Sequence, residues 1–106
     1  MVHKNKIKVS IITVVYNGIS SIERTIRSVI NQSYKNIEFI IIDGKLTDGT
    51  IEVIKSYSKY INYWISETDK GVYDAMNKAL KHATGDFLIF INANDILYSN
   101  NVIENI

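Results

Sequence analysis

The chain contains no cysteine. Disulfides and thiolate metal sites are thereby excluded, while the redox compartment stays unconstrained, because a cysteine-free protein is compatible with either environment. Charge of one sign is missing as well: 12 basic residues stand against 11 acidic ones, for a net charge of +1. Such a balance offers no electrostatic footprint to nucleic acid or to an anionic membrane, so nucleic acid is not an expected partner. The ~18 consecutive apolar residues of a membrane-spanning helix occur nowhere, and the basic start from Met1 to Lys8 has no apolar segment of signal-peptide length. No transmembrane segment is expected, and the default address is the cytoplasm, with the inner face of the membrane as the other. Repeats, linkers and low-complexity segments do not interrupt the chain. At 106 residues it holds one domain at most, which should bury somewhat over ~60% of its unfolded surface.

What is present is a regular alternation of two hydrophobic periods. Val9 to Val15 is short and β-branched, as a buried strand is, and Tyr16-Asn17-Gly18 punctuates it. Ser20 to Glu23 has capping-box form, and Ile19, Ile22, Ile26, Val29 and Ile30 follow with helical spacing. A second apolar run, Asn36 to Ile42, closes on Asp43-Gly44, after which Thr47 or Asp48 can cap a helix carrying Ile51, Ile54 and Tyr57. Asn62 to Ser66 alternates enough for a third strand near a sheet edge. Val72, Ala75, Met76, Ala79, Leu80 and Ala83 keep to one helical face, with Lys81 and His82 in the last turn and Gly85 placed as a C-terminal glycine. Asp86 to Asn92 then reads as a fully buried strand running into Asn92-Ala93-Asn94-Asp95.

The resulting order, βαβαβαβ, predicts an α/β fold: a Rossmann-like, mostly parallel sheet with helices on both faces. Open sheets of this kind bind ligands just past the carboxyl ends of their strands. Polar residues collect at three such ends, Thr13 to Gly18, Asp43-Gly44 and Asn92 to Asp95. Asn92, Asn94 and Asp95 offer the carboxylate and amide oxygens that Mg²⁺ and Mn²⁺ prefer, although Asn and Asp are equally at home in a plain turn. Asp43 ends an apolar strand, where a carboxylate needs solvent or donors; a nucleobase imide N–H is one donor, and the start of an Asx turn is the simpler role. Asp74, Asn77 and Lys81 share one helical face, which is also how a solvated polar face looks. His82 has no second His or Cys beside it and reads as a helix C-terminal residue, and Trp64 and the tyrosines read as core rather than as sugar platforms.

Four segments in order, Val9 to Gly18, Ile41 to Thr50, Asp69 to Lys78 and Gly85 to Asp95, resemble the N-terminal half of family 2 glycosyltransferases, which are inverting enzymes of the GT-A fold. The resemblance covers nearly the whole chain from about Lys8. It implies that residues 1–8 form a flexible basic tail and that 9–106 are the nucleotide-sugar-binding part of a GT-A domain, truncated before the acceptor-binding half. It implies a nucleotide-diphosphate sugar as partner, a UDP-sugar first among them, with Thr13 and its neighbours Tyr16 and Asn17 around the base and ribose and Asp43 reading the pyrimidine imide. Lys70, Asp74, Asn77 and Asn94 would approach the donor, and Asp95 would ligate the divalent metal, Mn²⁺ or Mg²⁺. The activity implied is transfer of a sugar to an acceptor hydroxyl with inversion, in polysaccharide or glycoconjugate synthesis.

The chain also departs from the family. Lys45-Leu46 stands where a small pair is usual, and Asn94-Asp95 stands for an acidic pair, so one ligand charge is lost. Family members carry the general base in a later segment; no residue here matches it, and none is nominated. The competing expectation is therefore a non-catalytic nucleotide-binding or interaction module. A nucleotidyltransferase shares the phosphate and metal needs, but no Gly-rich phosphate-cradling loop follows the first strand. A half-domain should also expose apolar surface and so favour self-association into a homo-oligomer.

Overall fold

The structure, a computed structural model, describes residues 7–15, 19, 21–44, 49–66 and 72–92, with the side chains of 72–74 and 92 outside the description. Four strands, β1 (Val9–Val15), β2 (Ile37–Asp43), β3 (Tyr63–Ser66) and β4 (Phe87–Asn92), alternate with three helices, α1 (Ile22–Ile30), α2 (Thr50–Ser56) and α3 (Val72–Leu80). All neighbouring strands pair in parallel, in the order β3-β2-β1-β4. The α/β class, the element order and the parallel sheet thus agree with the periodicities.

Period-two side chains on a parallel sheet must be covered on both faces. Ile11 and Val15 of β1 and Phe39 and Ile41 of β2 meet Ile22, Ile26 and Val29 of α1 and Ile54 of α2 on one face. Ile12, Ile40 and Ile42 meet Ala75 and Ala79 of α3 on the other. Alanines at these two positions let α3 lie close to the sheet. Helices of nine residues or fewer are marginal in isolation, whereas each fully buried Ile or Val contributes roughly 1.5–3 kcal/mol, so packing rather than local propensity holds them.

Several local expectations are corrected. α1 begins one residue later than the capping box required: its N-cap is Ser21, which makes no side-chain cap bond. Glu23 instead accepts from Tyr57 Oη at 2.6 Å and pairs with Arg27 at 3.3 Å, tying α1 to the end of α2. Ser20 lies outside the described residues. The N-cap of α2 is Gly49 at φ 88°, a left-handed conformation that glycine adopts without penalty; Thr47 and Asp48 also lie outside the described residues. Leu80 is exposed rather than on the buried face. Gly85 does not terminate α3: a Cβ there would meet Ser10 Oγ, Ser10 N at 2.7 Å and Lys8 O at 3.0 Å, so the glycine serves a close backbone crossing.

β4 is not buried on both faces. It forms one edge of the described sheet, and Phe87, Leu88 and Phe90 are 60%, 43% and 42% exposed. At the other edge β3 sits where the sequence placed it; His82 stacks on Tyr63 with ring centroids 3.8 Å apart, and Trp64 packs against the core. Ile7 and Lys8, read from sequence as tail, are tied down: Tyr34 Oη donates to Ile7 O, and Lys8 N donates to Asp86 Oδ2 at 2.9 Å. Residues 1–6 lie outside the described residues.

Candidate functional site

The chain steps outward from β1 to β2 to β3 and then returns to place β4 on the other flank of β1. Consistent with that reversal, α1 and α2 lie on one face and α3 on the other. Where strand order reverses, the connections leaving the two central strands diverge and open a crevice at their carboxyl ends. Here that point lies between β1 and β4.

Register brings the polar strand ends level. Val15, Asp43 and Ser66 form one row across β1, β2 and β3, and Val14 pairs with Asn92 of β4. Gly44 N donates to Val15 O at 2.9 Å, stitching the first two strand ends together. Asp43 is fully buried, and its Oδ2 accepts a hydrogen bond from Ser66 Oγ at 2.9 Å. A carboxylate removed from water needs such donors, since burial without them costs far more than a hydrogen bond returns. Thr13, one turn of the pleat below Val15, is also fully buried, and its Oγ1 finds no hydrogen-bond partner among the described residues. Buried hydroxyls are seldom left so.

Of the remaining sequence-derived residues, Tyr16, Asn17, Lys70, Asn94 and Asp95 lie outside the described residues, as does the Lys45-Leu46 pair. Asp74 belongs to α3, with its side chain outside the description. Asn77 is exposed on α3, between the buried Ala75 and Ala79 in sequence and therefore on the outer side of the helix. Among the described residues no group of three or more His, Cys, Asp and Glu side chains could hold a metal ion. The backbone does carry Asn92, the last residue of β4, to the carboxyl edge beside Val14.

The opposite edge of the sheet holds a different cluster, one the sequence reading missed. Glu38 Oε1 accepts from Ser10 Oγ at 2.8 Å and from Thr84 N at 2.8 Å, and Oε2 accepts from Thr84 Oγ1 at 2.9 Å. Ser10 Oγ in turn accepts from Gly85 N at 2.8 Å. Partial burial pushes the Glu38 carboxyl upward, but the Thr84 and Ser10 donors and the Lys8 charge outweigh it and hold the group below its ordinary value of 4.5. This lock joins β1, β2 and the start of β4. A cavity of about 270 Å³ at the same end is lined by Val29, Tyr34, Phe39 and Tyr60 among others. Tyr34 and Gln32, which also line it, donate from Oη to Ile7 O and from Nε2 to Ser28 O, and the lining does not include the strand-end carboxylate Asp43.

Ser66 was also missed. Its position as the last residue of a strand at the ligand edge was the available signal.

Comparison with known proteins joins the fold to a family. The model of "Glycosyl transferase family 2" matches residues 10–106. A glycosyltransferase of Mycobacterium tuberculosis, itself uncharacterised, is 41% identical over 88 residues, covering 82% of this chain and 34% of its own length. The putative teichuronic acid biosynthesis glycosyltransferase TuaG of Bacillus subtilis is 39% identical over 90 residues, covering 82% of this chain and 36% of its own. The chain thus spans about a third of the length of the curated relatives it matches. Among solved structures, S. aureus TarS 1-349 with UDP-GlcNAc superposes with a TM-score of 0.84 at 24% identity, over 92% of this chain and 29% of TarS. The mannosyltransferase PcManGT of Pyrobaculum calidifontis, solved with GDP-Man and Mn²⁺, gives a TM-score of 0.86 at 24% identity, over 93% of this chain and 31% of its own. The parallel sheet with its reversal at β1 shares the fold of these structures, and the chain belongs to glycosyl transferase family 2.

Proposed function

We propose that this chain provides the donor-binding part of an inverting glycosyltransferase that moves a sugar from a nucleoside diphosphate to an acceptor hydroxyl in polysaccharide or glycoconjugate synthesis. The observation that carries the reading is a fully buried carboxylate, Asp43, at the carboxyl edge of a family 2 sheet. Thr13 and the residues that follow it, Tyr16 and Asn17, hold the base and ribose; Asp43 accepts from a pyrimidine imide. Lys70, Asp74, Asn77 and Asn94 approach the rest of the donor. Relatives lend support of their own kind: TarS is solved with UDP-GlcNAc and PcManGT with GDP-Man and Mn²⁺.

Breaking the bond from anomeric carbon to phosphate builds negative charge on the leaving diphosphate, which a divalent cation stabilises as a Lewis acid. The residue types fit a hard cation, since Asp95 offers a carboxylate and Asn92 and Asn94 amide oxygens at and just after the end of β4 in sequence. Asp43 and Thr13 do the orienting, and a general base on the opposite face of the sugar completes inversion.

Calorimetry with Mn²⁺ present tests the donor assignment. UDP or dTDP should bind, ADP should not compete, and Asp43→Ala should weaken UDP by ~1–3 kcal/mol, the usual consequence of unpairing a buried polar contact. Equal affinity for ADP would sink it.

A further inference from the structure

We infer that the amino-terminal edge of the sheet, opposite the strand ends that carry Asp43, is a docking surface for a bilayer containing anionic phospholipid, centred on Lys35, Lys59 and Tyr60. It uses none of the residues assigned to the donor.

A net charge of +1 describes the whole chain and not its two ends. Each helix follows the carboxyl end of one parallel strand and leads to the amino end of the next, so helices start at the carboxyl edge and end towards the amino edge. α1 and α2 carry Glu23 and Glu52 in their first turns, whereas Lys81 follows the end of α3. That much suits the helix dipoles. Lys35 and Lys59 have no such cause: Lys35 lies in the connection from α1 to β2, and Lys59 in the short 3-10 turn Ser58–Tyr60 ahead of β3. Both are exposed. The acidic residues at this edge, among the described residues, are Glu38 and Asp86, and both are engaged, Glu38 by Ser10 and Thr84 and Asp86 by Lys8 N. The fold therefore separates charges that the composition averages.

Positive charge alone would suit any polyanion; the apolar surface beside it selects a bilayer. Tyr60 is 48% exposed, and the exposed Phe87 opens β4 level with Val9, at the same edge. Lys59 Nζ lies 5.1 Å from the centroid of the Tyr60 ring. Cation and ring side by side suit a membrane interface, where the ring sits at headgroup depth and the lysine reaches the phosphates. The cavity of about 270 Å³ opens here too, its lining joining buried Val29 and Phe39 to exposed Lys35 and Tyr60. An apolar floor beneath a basic mouth matches an amphiphile with an anionic head and a hydrocarbon tail. Nucleic acid has no such tail to place.

The test is flotation of the full chain with vesicles of phosphatidylcholine alone and of phosphatidylcholine mixed with phosphatidylglycerol, with thermal unfolding of every variant in parallel. Binding should require phosphatidylglycerol and weaken as salt rises. Lys35→Gln with Lys59→Gln should weaken it about fivefold for each lysine removed, and Lys35→Arg with Lys59→Arg should retain it. Should the Gln pair unfold, the single Gln variants read the same contributions. Tyr60→Ser should weaken vesicle binding severalfold. No binding to the mixed vesicles, equal binding to phosphatidylcholine alone, or full binding by the folded Gln variants would overturn the inference. So would loss of binding in Lys4→Gln with Lys6→Gln but not in the Lys35 and Lys59 pair, which would move the contact to the basic start of the chain. Double-stranded DNA bound as tightly as the mixed vesicles, with Tyr60→Ser weakening neither, would mark a general polyanion site instead. UDP binding enters none of these measurements, so the donor-site reading and this one stand or fall separately.

Discussion

At the scale of single residues, two positions make the clearest demands. Gly85 lies where the α3–β4 connection crosses β1, and the atoms a Cβ would meet include Ser10 N and Lys8 O, which are backbone and cannot swing aside. Gly85→Ala should therefore destabilise by ~1–3 kcal/mol through overpacking, read as a lowered urea midpoint with unchanged slope. Asp95 is the other. It carries the only formal charge in Asn92 to Asp95, so Asp95→Asn should abolish nucleotide-dependent Mn²⁺ binding while changing stability by no more than ~0.5 kcal/mol. Asn94→Asp should tighten the metal by adding ligand charge. Calorimetry with UDP present reads both; if neither variant shifts Mn²⁺ affinity, the segment is a turn and not a metal site. Polar residues at strand ends were legible one at a time. The Ser66 contact was not, because it depends on which residue of β3 stands opposite Asp43, and register is set by packing of whole strands.

At the scale of elements, the lock around Glu38 explains how β4 is held. Its three accepted hydrogen bonds reach from β2 to β1 and to the residues just before β4. These contacts span sequence separations of 28 and 46 residues, so no helical or strand periodicity announces them. Since its folded-state value lies below the ordinary 4.5, ionised Glu38 stabilises the fold above that value, and the contribution is lost as pH falls through the depressed one. Glu38→Gln should thus be less stable than the unmutated chain at pH 7, and the gap should close as pH is lowered below about 4.5. Parallel denaturant titrations across that window would show it; a gap independent of pH would mean the carboxylate charge plays no part. Helix existence was readable from apolar spacing, but caps were not. The S-x-x-E pattern pointed to Ser20, whereas the N-cap of α1 is Ser21.

At the scale of the whole molecule, β4 is an edge of the sheet formed by the described residues. Leu88 and Phe90 project from one face of it and Phe87 from the other, all well exposed. Unpaired strand edges and contiguous apolar surface both favour association. Light scattering should find a dimer or larger species, shifted towards monomer by Leu88→Lys with Phe90→Lys; a monomer at high concentration without substitution would count against it. No described helix is long and apolar enough to cross a membrane.

By itself the sequence determined the alternation of strands and helices, the parallel class and which strand ends would be polar, because hydrophobic period and turn chemistry are properties of short windows. Family membership was readable too, since four motifs in order carry it. Tertiary structure alone decided that β4 crosses to the far flank of β1, that its apolar run lies at an edge, that Ser66 meets Asp43, and that Glu38 gathers Ser10 and Thr84. Each of these is a contact between residues far apart in the chain, and its partner is chosen by how whole layers pack, which no local pattern records.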